Sequence, residues 1–197
     1  MASRTILITG CSSGIGLASA RMMSARGWHV IATARKDADL AMLRADLKVD
    51  AVHLELADPN SVAACADRAL SLSGGRIDAL FNNAAYGQAG AVEDLSVDLL
   101  RRQFEVNLFA QHELVRRLLP GMRRQGHGRI VQCSSVLGLV AAPMRGAYCA
   151  SKFAMEGLTD SMRIELAGSG VHISLIEPGP IRTRFVENAL SNFLKTI

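Results

Sequence analysis

At 197 residues, the chain is long enough to form one domain with a hydrophobic core, and its 49% of apolar residues exclude a disordered polypeptide. The net charge of +4 comes from scattered basic residues, which favours solvated helix faces over a nucleic-acid surface. No apolar run approaches the roughly 20 residues that span a bilayer, and no secretion signal is recognisable, so we expect a cytoplasmic protein without membrane insertion.

Apolar, strand-like runs alternate with helical stretches along the chain. The sequence predicts strands over residues 5–8, 28–33, 51–54, 77–81, 129–133 and 171–176. It predicts helices over residues 16–25, 39–47, 59–72, 95–122 and 147–166, with Asp58 or Asn60 capping the third. Strands with little polar alternation, joined by helices, indicate a parallel sheet covered on both faces. The predicted fold class is therefore α/β, a Rossmann-like doubly wound sheet in a three-layer α/β/α sandwich.

A glycine-rich loop follows the first predicted strand, where such a sheet binds its ligand. It reads Thr9-Gly10-Cys11-Ser12-Ser13-Gly14-Ile15-Gly16 and runs directly into a helix. Glycines allow backbone N–H groups to approach a pyrophosphate, and the helix N-terminus adds partial positive charge. The spacing is G-x-x-x-G-x-G, not the G-x-G-x-x-G of ordinary Rossmann proteins. Its place between strand and helix predicts a dinucleotide site.

The end of the second strand bears on the choice of dinucleotide. It reads Thr33-Ala34-Arg35-Lys36 and lacks the carboxylate that would bind a free ribose 2′-hydroxyl and select NAD. A guanidinium suits the 2′-phosphate of NADP. The sequence therefore favours NADP(H) over NAD(H), with a solvated surface charge as the alternative role of Arg35.

Tyr148 and Lys152 lie one turn apart on a predicted helix and share a face. A nearby ammonium is expected to lower the tyrosine pKa, so that the phenol can exchange a proton with a carbonyl or alcohol oxygen. Ser134 and Ser135 follow the fifth strand, at the same edge of the sheet. A hydroxyl there can hold the substrate oxygen and stabilise charge that develops on it.

Other polar residues accompany this group. Asn82 and Asn83 follow the fourth strand, and Pro178-Gly179-Pro180 fixes a turn after the sixth. Asn107 interrupts an apolar helical stretch, either as a satisfied core amide or as a residue that bends the helix and holds a water. The four cysteines and five histidines lack metal-ligand spacing, so we expect reduced thiols, no disulfide and no metal.

Together the motifs resemble those of the short-chain dehydrogenase/reductase family over nearly the whole chain. The residues that carry the resemblance, in the family's order, are Thr9-Gly10-x-x-x-Gly14-Ile15-Gly16, Asn82-Asn83-Ala84, Asn107, Ser135, Tyr148-x-x-x-Lys152 and Pro178-Gly179. Ser135 is preferred over Ser134 because it lies 13 residues before Tyr148, as in the family motif.

The resemblance implies roles for these residues. Tyr148 would be the general acid/base, and Lys152 would bind the nicotinamide ribose and depress the tyrosine pKa. Ser135 would orient the substrate oxygen, and Asn107 would support a water-mediated proton relay. The implied cofactor-binding set is Gly10, Ser12, Ser13, Gly14, Ile15, Gly16, Arg35, Glu55, Leu56, Asn83, Ala84, Ala85, Tyr148, Lys152, Pro178, Gly179, Ile181 and Thr183.

The sequence departs from the family in three places. Ala85 stands where glycine is common, and Glu55 stands where an aspartate usually reaches the adenine amine. After Phe185 the family continues through a substrate-covering helical loop and a seventh strand. We therefore expect one dinucleotide-binding and catalytic domain over residues 1–197, truncated in the lid and lacking the last strand.

The expected activity is NADP(H)-dependent hydride transfer between nicotinamide and a ketone or secondary alcohol. The small-molecule substrate would be a steroid-like or other bulky alcohol, or equally a 3-oxoacyl thioester. One alternative is a dinucleotide-binding regulator or scaffold without turnover. Nucleotide-sugar epimerisation and enoyl reduction are disfavoured by the glycine and Tyr–Lys spacings. The resemblance also implies a homodimer or homotetramer.

Overall fold

The structure, a computed structural model, describes residues 3–193, without the side chain of residue 186. The strands are β1 (Thr5–Ile8), β2 (His29–Ala34), β3 (Asp50–His53), β4 (Ala79–Asn82), β5 (Gly128–Cys133) and β6 (Val171–Ile176). The helices are α1 (Gly14–Ala25), α2 (Asp37–Leu47), α3 (Pro59–Leu72), α4 (Val97–Phe104), α5 (Ala110–Gln125), α6 (Gly146–Glu165) and α7 (Phe185–Phe193). The first two residues of the predicted domain, and residues 194–197 of its predicted lid, lie outside the described residues.

The six strands form one parallel sheet in the order β3-β2-β1-β4-β5-β6, which confirms the predicted doubly wound fold. The strand order reverses between β1 and β4, and such a switch point opens a crevice at the carboxyl ends of the strands. Within the described part of the chain no strand lies beyond β6, which forms one edge of the sheet.

Side chains of β1 alternate between two cores, one on each face of the sheet. Leu7 packs in a cluster with Ile31, Leu80 and residues of α3 and α5. Ile6 and Ile8 point the other way, into a cluster with residues of α1 and α2. Because a strand alternates its side chains with period two, a strand buried on both faces reads as a continuous apolar run. All four side chains of β1 are buried.

The predicted helix over residues 95–122 is wrong as one element. The chain forms α4, then a π-helical turn over Glu105–Phe109, and then α5. Ser96 starts α4 by accepting a hydrogen bond on Oγ from the N–H of Leu99 at 3.2 Å. The π turn contains Asn107, whose side chain bonds to neighbouring elements and shifts the register of the helix.

At α3 the structure decides between the two predicted caps. The carboxylate of Asp58 accepts from the N–H of Asn60 at 2.9 Å, and Pro59 occupies the first helical position. Between residues 3 and 193, no helix combines the length and apolar character that crossing a membrane requires.

Candidate active site

The loops after β1 and β4 are tied together at the switch point. Thr9 Oγ1 accepts hydrogen bonds from the N–H groups of Asn83 and Ala84, both at 2.9 Å. The Asn83 amide donates to the carbonyl oxygens of Thr9 at 2.9 Å and Gly10 at 3.3 Å. The predicted Asn82-Asn83-Ala84 turn therefore lies directly against the glycine loop.

At Gly10 and Gly16 the glycine loop, the cradle of this site, leaves no room for a side chain. A Cβ at Gly16 would lie 2.2 Å from the carbonyl oxygen of Gly10, and one at Gly10 would lie 2.9 Å from Ala84 Cα. The side chain of Ser13 makes no capping hydrogen bond at the start of α1, which leaves the first helical N–H groups for an anion. This open backbone at a helix N-terminus fits a dinucleotide pyrophosphate, as the sequence predicts. Ser12 and Ile15 lie half-buried along the same loop.

Beyond the cradle lies the pair predicted to contact the adenosine end. Arg35 follows β2, which holds the glycine loop through a 2.8 Å bond from the Cys11 N–H to the Thr33 carbonyl oxygen. The Arg35 side chain is 69% exposed, and its guanidinium lies 3.6 Å from a Glu55 carboxylate oxygen. The side chain of Leu56, also in the predicted cofactor set, is buried in the core beside α3.

The predicted catalytic residues meet at the ends of β5 and α6. The hydroxyl of Ser135 lies near enough to Tyr148 to lower its pKa, and Ser135 Oγ accepts from the Leu137 N–H at 3.1 Å. Lys152 Nζ lies 5.7 Å from the centre of the Tyr148 ring and donates to the Cys133 carbonyl oxygen at 2.6 Å. Tyr148, Ser135 and Lys152 are each buried, at 7%, 7% and 1% exposed.

Burial dominates the ionisation of this group. It raises the pKa of Tyr148 to about 12, against the opposing effect of the nearby Ser135 hydroxyl. Burial also lowers the pKa of Lys152 to about 8, although Cys133 and Glu156 raise it. The net shift of the tyrosine pKa is therefore upward, not downward as the sequence predicts, because removal of the phenolate from water dominates. The Lys152 ammonium donates to the Cys133 carbonyl oxygen.

The two neighbouring serines have different surroundings. Ser135 faces Tyr148, whereas the side chain of Ser134 faces Gly138 on the 3₁₀ turn Val136–Gly138. The structure thus distinguishes two candidates that sequence position alone leaves adjacent.

Asn107 is fully buried in the π turn, and its amide is engaged with protein groups. Its Oδ1 accepts from the Tyr86 N–H at 3.1 Å, and its Nδ2 donates to the Tyr86 carbonyl at 2.9 Å and to Ser151 Oγ at 3.3 Å. Asn107 is thus a satisfied amide that also stands where the helix register changes. It joins the loop after β4 to α6, and its role in a proton relay stays a prediction.

The segment after β6 closes over this crevice. The carbonyl oxygen of Pro178 accepts from the Val136 N–H at 3.2 Å, and the Thr183 methyl group would lie 3.1 Å from a Cβ at Gly14. The predicted contacts Gly179 and Thr183 are half-buried, but Ile181 is 51% exposed.

Sequence reasoning missed Phe185. Its ring lies 5.4 Å from that of Tyr148, centre to centre, and α7 thereby covers the predicted catalytic tyrosine. No local pattern distinguishes Phe185 from an ordinary helical aromatic, because the contact joins positions 37 residues apart. Over residues 3–193, no group of three histidine, cysteine, aspartate or glutamate side chains is arranged to hold a metal ion.

Comparison with known proteins defines the class to which this fold and site belong. The family model described as short chain dehydrogenase matches residues 4–192. The chain belongs to the short-chain dehydrogenase/reductase family of oxidoreductases, whose members bind nicotinamide dinucleotides.

Two curated relatives are similar over nearly the whole chain. One is the uncharacterized oxidoreductase YbbO of Escherichia coli K12, 46% identical over 94% of this chain and 68% of its own length. Another is human 17-beta-hydroxysteroid dehydrogenase type 1, 38% identical over 98% of this chain and 61% of its own length. The chain thus spans about two thirds of the length of these relatives.

Two solved structures with similar folds carry different dinucleotides. A short chain dehydrogenase/reductase from Burkholderia phymatum, in complex with NAD, is 30% identical with a TM-score of 0.90, over 99% of this chain and 72% of that one. A short-chain dehydrogenase from Sphingobium yanoikuyae, in complex with NADPH, is 30% identical with a TM-score of 0.87, over 94% of this chain and 74% of that one. The family resemblance by itself leaves the choice of dinucleotide open.

Proposed function

We propose that the protein transfers hydride between NADP(H) and a ketone or secondary alcohol, with Tyr148 as general acid/base. The observation that carries the proposal is the arrangement of Ser135, Tyr148 and Lys152. A serine hydroxyl lies near enough to the phenol to lower its pKa, and a buried ammonium lies 5.7 Å from its ring. A protein that only bound the dinucleotide would have no use for a tyrosine placed in this way for proton transfer.

The residues divide the chemistry among themselves. A bound nicotinamide supplies the hydride in reduction and accepts it in oxidation. With its pKa raised to about 12, Tyr148 keeps its proton at neutral pH, the form that a general acid for carbonyl reduction needs. The phenol gives that proton to the carbonyl oxygen as the new carbon–hydrogen bond forms. Ser135 donates to the same oxygen while charge develops on it.

Lys152 stabilises the phenolate that remains after proton transfer. With its pKa lowered only to about 8, it is mostly cationic at pH 7, and a cation near the ring favours the ionised phenol. An ammonium has three donors, and one is held by the Cys133 carbonyl oxygen. We assign the others to the ribose hydroxyls of the nicotinamide.

Arg35 supports the choice of NADP(H). Its guanidinium stands at the end of β2, largely exposed, with a Glu55 carboxylate oxygen 3.6 Å away. A 2′-phosphate would bind the planar guanidinium there through some of its N–H groups, while Glu55 would accept from others. For the substrate, the 38% identity to a protein named as a hydroxysteroid dehydrogenase supports a bulky secondary alcohol.

Replacing Tyr148 tests the mechanism. In Tyr148→Phe we expect NADPH to bind within about threefold of wild type, because the fold and cradle are kept. Turnover of a ketone panel should fall by at least about 100-fold, because the proton donor is lost. NADPH fluorescence measures binding, and loss of the reduced-nicotinamide absorbance measures turnover.

The chain offers a matched control, since Tyr86 is its other tyrosine. The Tyr86 hydroxyl is buried and has no hydrogen-bond partner among the described residues, so Tyr86→Phe should keep turnover within about threefold. Full activity in Tyr148→Phe would refute the proposed proton transfer. Tight NADPH binding by wild type without turnover of any ketone would favour a dinucleotide-binding regulator.

A further inference from the structure

A second polar cluster lies behind the proposed catalytic residues, between the end of β5 and α6. Ser134 is 3% exposed, and its Oγ finds no hydrogen-bond partner among residues 3–193. Glu156 Oε1 is also buried and unpartnered within that part of the chain. A Cβ at Gly138 would lie 2.6 Å from Ser134 Oγ and 3.1 Å from Glu156 Oε1, so both atoms face the same point.

Burying two polar atoms without hydrogen-bond partners lowers the stability of the fold, so their retention indicates a function. An unsatisfied buried polar group costs roughly 1–3 kcal/mol, and native proteins retain few of them. A side chain at position 138 would displace the Ser134 hydroxyl and the Glu156 carboxyl from the space where they face each other. The cluster therefore depends on three residues that the catalytic assignment does not use.

The neighbouring group whose buried charge needs an opposite charge is the Lys152 ammonium. It lies one turn before Glu156 on α6 and is 1% exposed. Its hydrogen bond to the Cys133 carbonyl supplies a dipole but no countercharge. A buried ammonium loses its hydration and is destabilised unless an opposite charge lies nearby.

Few ionisable groups of the described chain act on Lys152. They are the Cys133 thiol on β5, the Tyr148 phenol on α6 and Glu156 on α6. Burial raises the pKa of both Cys133 and Tyr148, so neither supplies an anion at neutral pH. Among the groups that act on Lys152, the Glu156 carboxyl is therefore the one that can supply a countercharge, and the Ser134 hydroxyl faces it without a hydrogen bond between them.

We propose that Glu156, facing Ser134 across Gly138, is a positioning residue that supplies the countercharge of the buried Lys152 ammonium. This inference rests on the proposed function only for its effect on turnover, since the ionisation of Lys152 is measurable without a substrate. Glu156 touches no reacting atom and acts through the lysine. It keeps Lys152 cationic at the pH where the phenolate needs stabilising.

The first experiment measures Lys152 directly. The chain has four lysines, so ¹³Cε-lysine labelling gives few signals, and Lys152→Arg identifies the relevant one. Glu156→Gln keeps the side-chain shape and removes the charge. We expect the titration midpoint of Lys152 to fall by about one pH unit, the usual size of a nearby-charge effect. Asp160→Asn is the matched control: it removes a carboxylate one turn further along α6 that pairs with Arg163, and should leave the midpoint unchanged.

The second experiment follows turnover against pH. At pH 6 the lysine is cationic in both proteins, so Glu156→Gln should match wild type. As pH rises, the variant should lose activity about one pH unit earlier, because its lysine deprotonates earlier. A purely structural defect would lower activity at every pH. Glu156→Asp withdraws the carboxylate by one methylene and should lower the midpoint by roughly half as much.

These measurements separate failure of the inference from failure of the proposed function. An unchanged Lys152 midpoint in Glu156→Gln would overturn the inference, even if turnover fell. If Glu156→Gln does not fold, an unchanged midpoint in Glu156→Asp overturns it instead. Wild type without turnover on any ketone would refute the proposed function, while the lysine titration would still decide the role of Glu156.

Discussion

Gly16→Ala tests the dinucleotide cradle most directly, because the structure gives the size of the clash. The added methyl carbon would lie 2.2 Å from the Gly10 carbonyl oxygen, more than 1 Å closer than the ordinary contact of 3.4 Å. Gly10 cannot move away freely, since its N–H donates to Thr33 Oγ1 at 3.2 Å and its carbonyl accepts from the Asn83 amide at 3.3 Å. The loop must therefore shift as a unit.

We expect that shift to weaken NADPH binding by roughly 10- to 100-fold. The shift displaces backbone N–H groups proposed to bind the pyrophosphate; losing one or two such bonds, at about 1.5 kcal/mol each for a charged acceptor, gives a loss of this size, since each 1.4 kcal/mol is tenfold in affinity. NADPH fluorescence titration gives the dissociation constant, and urea unfolding monitors the fold. The matched control is Gly157→Ala in the middle of α6, where an added Cβ meets nothing within 4 Å.

The control should bind NADPH like wild type and unfold at slightly higher urea, since alanine favours a helix over glycine by up to about 1 kcal/mol. Wild-type NADPH affinity in folded Gly16→Ala would refute the assignment of this loop as the pyrophosphate cradle.

Two further predictions concern Arg35 and Asp78. Arg35→Asp should weaken NADPH much more than NADH, by roughly tenfold or more, because it replaces the cation proposed for the 2′-phosphate with an anion; an unchanged preference in parallel titrations would make Arg35 a surface charge. Burial opposes ionisation of Asp78, but the Thr5 N–H, His127 and Arg76 together hold its pKa below the usual 3.8. Its charge therefore stabilises the fold above about pH 4, and that stabilisation is lost as pH falls through the lower folded-state pKa. Asp78→Asn should lower the free energy of unfolding by about 1–3 kcal/mol at pH 7. The difference from wild type should shrink below pH 4, and urea unfolding of both proteins at pH 7 and below pH 4 measures it.

The sequence predicts most of the fold because the relevant signals are local. Continuous apolar runs such as Thr5–Ile8 follow from burial on both faces of a parallel sheet, and the helices between them follow from their own periodicity. The one helix predicted too long contains Asn107. Its π turn depends on hydrogen bonds to Tyr86 and Ser151, which are distant in sequence, so periodicity cannot reveal it.

In the candidate site, too, motif spacing predicts some contacts, and only the tertiary structure shows the others. Motif spacing identifies Ser135 and Tyr148 as partners, and the structure buries both near one another at the ends of β5 and α6. Spacing gives no sign of the Phe185 ring over Tyr148, because that contact requires α7 to fold back across the crevice. Nor does it show that Ser134 and Glu156 face one another, since they belong to different elements.

The sequence by itself determined the alternation of strands and helices, the glycine loop between β1 and α1, and the one-turn separation of Tyr148 and Lys152. Each depends on residues close together in the chain. Only the tertiary structure decided the ionisation of that pair, raising the pKa of the tyrosine and lowering that of the lysine. The physical reason is desolvation: the charge state of a side chain depends on how much water the surrounding elements exclude, and spacing within one helix does not specify that.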